Sequence, residues 1–90
     1  VYNEPSDAAP VGDADFDAGL RAIKAAQWTE ALRHLDVAAK RHGRSADVFN
    51  LLGFAHRKLG QLPASFRNYH RALELDPAHR GAHEYIGEAW

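Results

Sequence analysis

Ninety residues allow one small domain at most, and a chain of this size buries only ~60–65% of its unfolded surface, so its core is thin. Cysteine is absent, which excludes disulfides and leaves a structural zinc site resting on His and carboxylates alone. With 46% hydrophobic and 26% charged residues, a net charge of -1 and no apolar run near the ~20 residues of a membrane span, large enzymes, nucleotide-binding α/β folds and membrane spans are excluded or disfavoured.

The charge is uneven along the chain. Residues 1–17 hold five acids (Glu4, Asp7, Asp13, Asp15, Asp17) and no base, while residues 18–90 hold eleven bases against seven acids. An acidic tail therefore precedes a mildly basic body, whose net charge of +4 is too small for a nucleic-acid footprint. Ala (17) and Leu (9) far outnumber Val, Ile and Thr together (7), which predicts an all-α fold, because β-branched residues suit strands.

In chain order, residues 1–12 are rich in Pro, Gly, Ala and acid and show no periodicity, and residues 1–11 read as an acidic disordered tail. The first residue is Val rather than Met, which fits either trimming or a removed secretory leader; localisation stays open, with a lean to the periplasm. Helices are expected near 14–26 and 29–42, with Thr29 as the cap of the second and Gly43 as its stop. Val48, Leu51, Leu52, Ala55 and Leu59 recur at three or four and predict a helix over 48–59, with Ser45 as cap and Asp47 in the first turn. Gly60 ends it, and Pro63 suits the first turn of the next helix, which carries Phe66, Tyr69 and Leu73 and stops before Asp76-Pro77. A fifth helix is expected from about 80 onward. It reaches Trp90 inside an apolar pattern with no stop signal, as though the chain continued.

An internal repeat runs through these elements. Gly19, Gly53 and Gly87 are evenly spaced, and the same shift pairs Trp28 with Leu62, Ala31 with Ser65, Leu35 with Tyr69 and Ala38 with Ala72. The clearest copy, 46–79, reads Phe49-x-x-Leu52-Gly53-x-x-His56, then Ser65-x-x-x-Tyr69, then Ala72 and Pro77. This resembles the tetratricopeptide repeat, W-x-x-L-G-x-x-Y, A-x-x-x-F, P, and both the internal spacings and the repeat length are kept. The copy at 12–45 departs further, with Asp15 at the first aromatic position and Gly43 at the Pro position. The copy from 80 to 90 holds only a first helix, His83-x-x-Ile86-Gly87-x-x-Trp90. The resemblance implies antiparallel helix pairs stacked into a short solenoid, with Gly19 close to Ala31 and Gly53 close to Ser65.

The resemblance also implies a function: the first helix of each repeat lines a concave groove for a peptide or helix of a partner protein. Carried over position by position, the groove residues are Phe16, Leu20, Ile23 and Lys24, then Asp47, Asn50, Phe54, Arg57 and Lys58, then Glu84 and Glu88. Asn50 leads this set, because an amide offers both a donor and an acceptor to a peptide backbone. Phe54 would supply an apolar platform, and Arg57 and Lys58 could attract a carboxylate. Each has a plainer alternative: Asn, Arg and Lys as solvated surface, and Phe16 and Phe54 as core. Repeats that bind the C-terminal carboxylates of heat-shock chaperones use Lys and Asn on the first helix, Asn on the third, and Lys and Arg on the fifth. Phe16 and Leu20, and Gly81 and Tyr85, stand at those positions here, so that clamp is not expected.

Other chemistry has little to stand on. Ser6, Ser45 and Ser65 are the only serines, none in a G-x-S-x-G elbow, and there is no H-E-x-x-H or phosphate loop, so neither catalysis nor a cofactor is expected. His79 and His83 are four apart but lack a third ligand; His34, His42 and His70 read as surface or interhelical, and His56 as packed in an aromatic position. The run Lys40, Arg41, Arg44 is explained by the C-terminal end of a helix dipole. The last helix would leave Ala82, Ile86, Ala89 and Trp90 uncovered, an open-end contact for further chain, a partner or a second copy. Three readings follow: a non-catalytic docking module in a bacterial-type complex, a structural subunit associating through Ile86 and Trp90, or a His-dependent metal binder.

Overall fold

The computed structural model describes residues 8–78. Among them are four helices and no strand: α1 (Ala14–Lys24), α2 (Trp28–Arg41), α3 (Ala46–Lys58) and α4 (Leu62–Leu75). The expected all-α repeat of helix pairs is present. The fifth helix, with Glu84, Ile86 and Trp90, and the first part of the tail lie outside the described residues. Each helix packs on the one before it, and α1 reaches α3 only at its margin. The three-residue connections 25–27 and 59–61 leave consecutive helices antiparallel.

Local chemistry fixes most helix ends. Asp13 caps α1, its carboxylate accepting from the N–H groups of Asp15 and Phe16 at 3.0 Å each. Ser45 caps α3 as expected, accepting from the Val48 N–H at 3.4 Å. Pro63 sits in the first turn of α4, where a missing N–H costs nothing. The Asp76 carboxylate accepts from the Ala78 N–H at 3.1 Å and turns the chain away after α4.

Thr29 does not cap α2. That helix starts one residue earlier than expected, with Gln27 at its N-cap and no side-chain cap. The reason lies in the preceding turn. After α1 the Gln27 N–H donates to the Ala22 carbonyl and the Ala26 N–H to that of Ile23, at 2.9 and 3.1 Å. This six-residue closure shortens α1 from the expected 26 to 24 and delivers the chain straight into α2. The turn after α3 repeats it, with Gln61 donating to His56 and Gly60 to Arg57, both at 2.9 Å.

The two turns differ in one residue. Gly60 takes the left-handed position with φ +76°, and Ala26, one repeat earlier, takes it with φ +57°. A side chain there costs ~1–2 kcal/mol, which glycine avoids. Ala26→Gly should therefore stabilise the fold by about 1 kcal/mol, read as a higher urea midpoint with an unchanged slope. An unchanged or lower midpoint would show that this turn carries no strain.

The core has two parts. Phe16, Ala22, Ala31, Leu35, Ala38, Val48, Leu52 and Ala55 form the larger, across α1, α2 and α3. Ala46, Tyr69, Ala72 and Leu75 form the smaller, between α3 and α4, and Phe49 packs against both. The repeat glycines let the helices of each pair approach. A Cβ on Gly53 would lie 2.5 Å from the Tyr69 ring, and one on Gly19 would lie 2.7 Å from Leu35. The side chain over Gly19 is thus Leu35 rather than the expected Ala31. Ser65 does meet Gly53, its buried hydroxyl donating to the Gly53 carbonyl at 2.7 Å, but the ring over the glycine is that of Tyr69.

An ionic clasp ties the start of α1 to the end of α2. Arg41 donates to Asp13 at 3.1 Å and also pairs with Asp15; His42 meets Asp13 at 3.0 Å, and His34 meets Asp15 at 3.1 Å. Arg41 therefore does more than complement the dipole of α2. Its guanidinium, the Phe16 N–H and His42 hold the Asp13 carboxyl well below the usual carboxylate range, and Arg41 and His34 lower that of Asp15. A carboxyl lowered in the folded state stabilises the fold above its unfolded pKa of ~4, and that contribution is lost as pH falls below it. The melting temperature should drop steadily as pH falls from about 5 to 2.5, and Arg41→Leu should flatten that slope. Equal slopes for the two proteins would remove the clasp from this account.

Candidate functional site

Asn50, Phe54 and Lys58 follow one another at four-residue spacing along α3, and so form one stripe on its surface. Asn50 is only 8% exposed, and its Oδ1 accepts no hydrogen bond. Such groups are rare, because burying an amide oxygen without a donor costs ~1–3 kcal/mol. Phe54 is half-buried and meets Trp28, at the start of α2, edge to face: the ring centroids are 5.7 Å apart at 80°. The exposed Lys58 ammonium lies 5.4 Å from the Phe54 centroid and 6.0 Å from that of Trp28. A shallow hollow beside this cluster is lined by Ala26, Gln27, Trp28, Thr29, Glu30 and Leu59.

The remaining expected groove residues are spread more widely. Phe16 is 3% exposed, inside the larger core, and so takes its alternative role: a ring packed there offers nothing to a partner. Leu20 and Ile23 are half-buried against that same core, and Lys24 is exposed in the last turn of α1. Asp47 and Arg57 are half-buried on α3. Glu84 and Glu88, and the open-end residues Ile86 and Trp90, lie outside the described residues.

Trp28 is the member of the cluster that the sequence reading left out. It sits on the second helix of its repeat, not the first, so a groove defined by first helices passes over it. A half-exposed Trp on an otherwise Ala-rich helix was the available signal, since Trp is enriched in contact surfaces.

Among the described residues, His34 and His42 belong to the clasp, His70 is exposed on α4, and His56 stands beside the turn after α3. His56 does not pack as an aromatic. Its Nδ1 lies 2.7 Å from the Gln61 Oε1, bridging the turn after α3, because an imidazole keeps a polar edge that seeks such a partner. Among the described residues no three His, Asp or Glu gather as a metal site. His79 and His83 lie outside the described residues. No helix among the described residues is long and apolar enough to cross a membrane.

Comparison with known proteins agrees with this geometry. The tetratricopeptide repeat family matches over residues 46–79. The chain is 27% identical over 67 residues to the Hsp70-Hsp90 organizing protein of Triticum aestivum, covering 74% of this chain and 12% of that protein. It is also 27% identical over 76 residues to Hsp70-Hsp90 organizing protein 2 of Arabidopsis thaliana, covering 84% of this chain and 13% of that protein. Both relatives are plant proteins, which lends nothing to the bacterial setting expected from composition. The chain thus spans about an eighth of the length of either relative. No solved structure gives a significant match. The evenly spaced glycines and the Gly53–Tyr69 contact accompany that match, and over 46–79 the chain is similar to the tetratricopeptide repeat family.

Proposed function

We propose that the chain is a non-catalytic protein–protein interaction module whose α3 surface docks a peptide segment or helix of a partner protein. The observation that carries this reading is the half-exposed Phe54–Trp28 ring pair with the Lys58 ammonium over both rings. Asn50 lies on the same stripe of α3, 8% exposed, and its amide offers a donor and an acceptor to a peptide backbone. Phe54 with Trp28 supplies apolar contact beside it, and Arg57 and Lys58 supply positive charge. Leu20 and Lys24 on α1 extend the surface, while Phe16 drops out of it. The relatives are named for organizing Hsp70 and Hsp90. That role is not carried over to this chain, because the buried Phe16 and the half-buried Leu20 stand where the chaperone-carboxylate clamp needs Lys and Asn.

Replacing Asn50 separates a docking role from a structural one. An Asn that holds a fold together costs ~1–3 kcal/mol when truncated, because its partners are left unpaired. Asn50→Ala should instead keep stability within about 0.5 kcal/mol of the parent, since no hydrogen bond to Oδ1 is lost, while capturing far less partner protein from a cell extract. Loss of stability with undiminished capture would make Asn50 a structural residue and end this reading.

A further inference from the structure

The two hairpin turns meet at one end of the fold and form a surface separate from the face of α3. Consecutive helices are antiparallel, so turns 25–27 and 59–61 lie at the same end, and one hollow joins Ala26 and Trp28 to Leu59. The sequence of this end repeats, as Lys24-x-x-Gln27-Trp28 and then Lys58-x-x-Gln61-Leu62. Residues 24–27 and 58–63 are exposed throughout. Two of the large exposed apolar side chains, Leu59 at 38% and Leu62 at 41%, stand here beside the half-buried Trp28. Charge divides along the same axis. Among the described residues, the helix halves nearer these turns, 20–34 and 53–68, hold Arg21, Lys24, Arg33, Arg57, Lys58 and Arg67 against a single acid, Glu30. Arg33 already engages that acid at 2.9 Å. The opposite halves hold the other seven acids, Asp13 and Asp15 of the clasp among them. The molecule therefore has a cationic end with apolar tips and an acidic end.

We infer that this end is a peripheral contact for an anionic lipid surface. Leu59, Leu62 and the edge of Trp28 enter the headgroup region, and Arg21, Lys24 and Lys58 meet the lipid phosphates and carboxylates. Apolar residues flanked by cations, with Trp at the boundary, are the side chains that such a surface holds. Lys stems lie along apolar surface while their ammonium groups stay among the headgroups. The tips project and the hollow between them is shallow, so they do not enclose a peptide, whereas a fluid surface moulds to a projecting tip. Their backbone is also prepared for a drier setting. The N–H groups of Ala26, Gln27, Gly60 and Gln61 are already bonded within the two turn closures. The acidic end is repelled by the same surface, which orients the molecule with its turns toward the lipid. This contact is independent of the docking face on α3 and leaves it accessible from the side.

The test is cosedimentation of the intact chain with vesicles at low salt, where charge contacts are least screened. The vesicles are phosphatidylcholine alone, or phosphatidylcholine with about 30% phosphatidylserine. The chain should partition at least tenfold more strongly onto the anionic vesicles. Lys24→Glu should weaken that partition about tenfold. Lys40→Glu makes the same change in net charge at the acidic end, and should leave it within about twofold of the parent. The exposed pair Leu59→Ser/Leu62→Ser should also weaken it about tenfold, with the helical circular dichroism unchanged. Equal partition onto both vesicle types, or equal loss from Lys24→Glu and Lys40→Glu, would overturn the inference. Undiminished binding by the Leu59→Ser/Leu62→Ser variant would overturn it too, by reducing the contact to charge alone. Binding to soluble polyglutamate without binding to anionic vesicles would overturn it in favour of an acidic protein at this end. None of these results bears on capture of a partner by α3, which Asn50→Ala tests separately.

Discussion

Tyr69→Ala lowers the stability of the fold by about 4 kcal/mol, the expected cost of deleting a fully buried aromatic ring. Among the described residues Tyr69 is the largest fully buried side chain; it lies over Gly53 and anchors the smaller core between α3 and α4. A domain of this size has only ~5–10 kcal/mol in hand, so a loss of this order leaves a substantial unfolded population near its melting point. Urea denaturation followed by circular dichroism measures it. Tyr69→Leu provides a milder form should the Ala variant fail to fold, because Leu35 already fills the equivalent position in the first copy. A cost near 1 kcal/mol for Tyr69→Ala would mean that α4 is not held through this ring.

The second large effect comes from adding one carbon. Gly53→Ala gains ~1 kcal/mol of helix propensity, yet its Cβ would stand 2.5 and 2.6 Å from two carbons of the Tyr69 ring. A ring locked in the core cannot rotate away as a flexible chain can, and overpacking of this kind costs typically ~1–3 kcal/mol. The net expectation is a loss of about 2 kcal/mol. Gly19→Ala should lose less, because the atoms it meets belong to the more adaptable side chain of Leu35. A double-mutant cycle decides the cause. If the clash is the reason, Gly53→Ala should cost at least ~1 kcal/mol less in the Tyr69→Ala background than alone. Additive costs would place the strain elsewhere.

The fold was legible because its determinants are periodic. A glycine at the same point of the first two copies, Gly19 and Gly53, marks the close helix approach in each pair, and Ala38, Leu52 and Ala72 recur on buried faces because the helix period places them there. Ser45, Gly60 and Pro63 were legible for another reason: their roles are backbone chemistry, settled close by in the chain. The errors fell where a remote contact overrode local preference. Thr29 has a capping side chain, but the closure of the α1 turn fixes Gln27 first. Arg41 reads as a dipole partner until the hairpin brings the start of α1 against the end of α2, 26 and 28 residues away in sequence.

The candidate site was harder to read for the same reason. Asn50 could be singled out by its position in the repeat, but its lone buried oxygen is a fact of packing. Phe16 and Phe54 look alike in sequence, and each lies on the first helix of its pair. One is enclosed by the larger core, whereas the other meets Trp28 across to α2. The cluster of Trp28, Phe54 and Lys58 joins two repeats, so inspection of either repeat alone cannot show it.

The central claim is that partners dock on α3, and the measurement that tests it most directly is an amide-correlation NMR spectrum of the isotope-labelled chain. It should be recorded with and without a partner protein recovered by affinity capture. Shifts or broadening concentrated on Asn50, Phe54 and Lys58, with the Trp28 indole N–H moving alongside, are the predicted result. Perturbation confined to the Asp13–Arg41 clasp or to the outer face of α2 around Val37, with α3 unchanged, would contradict it.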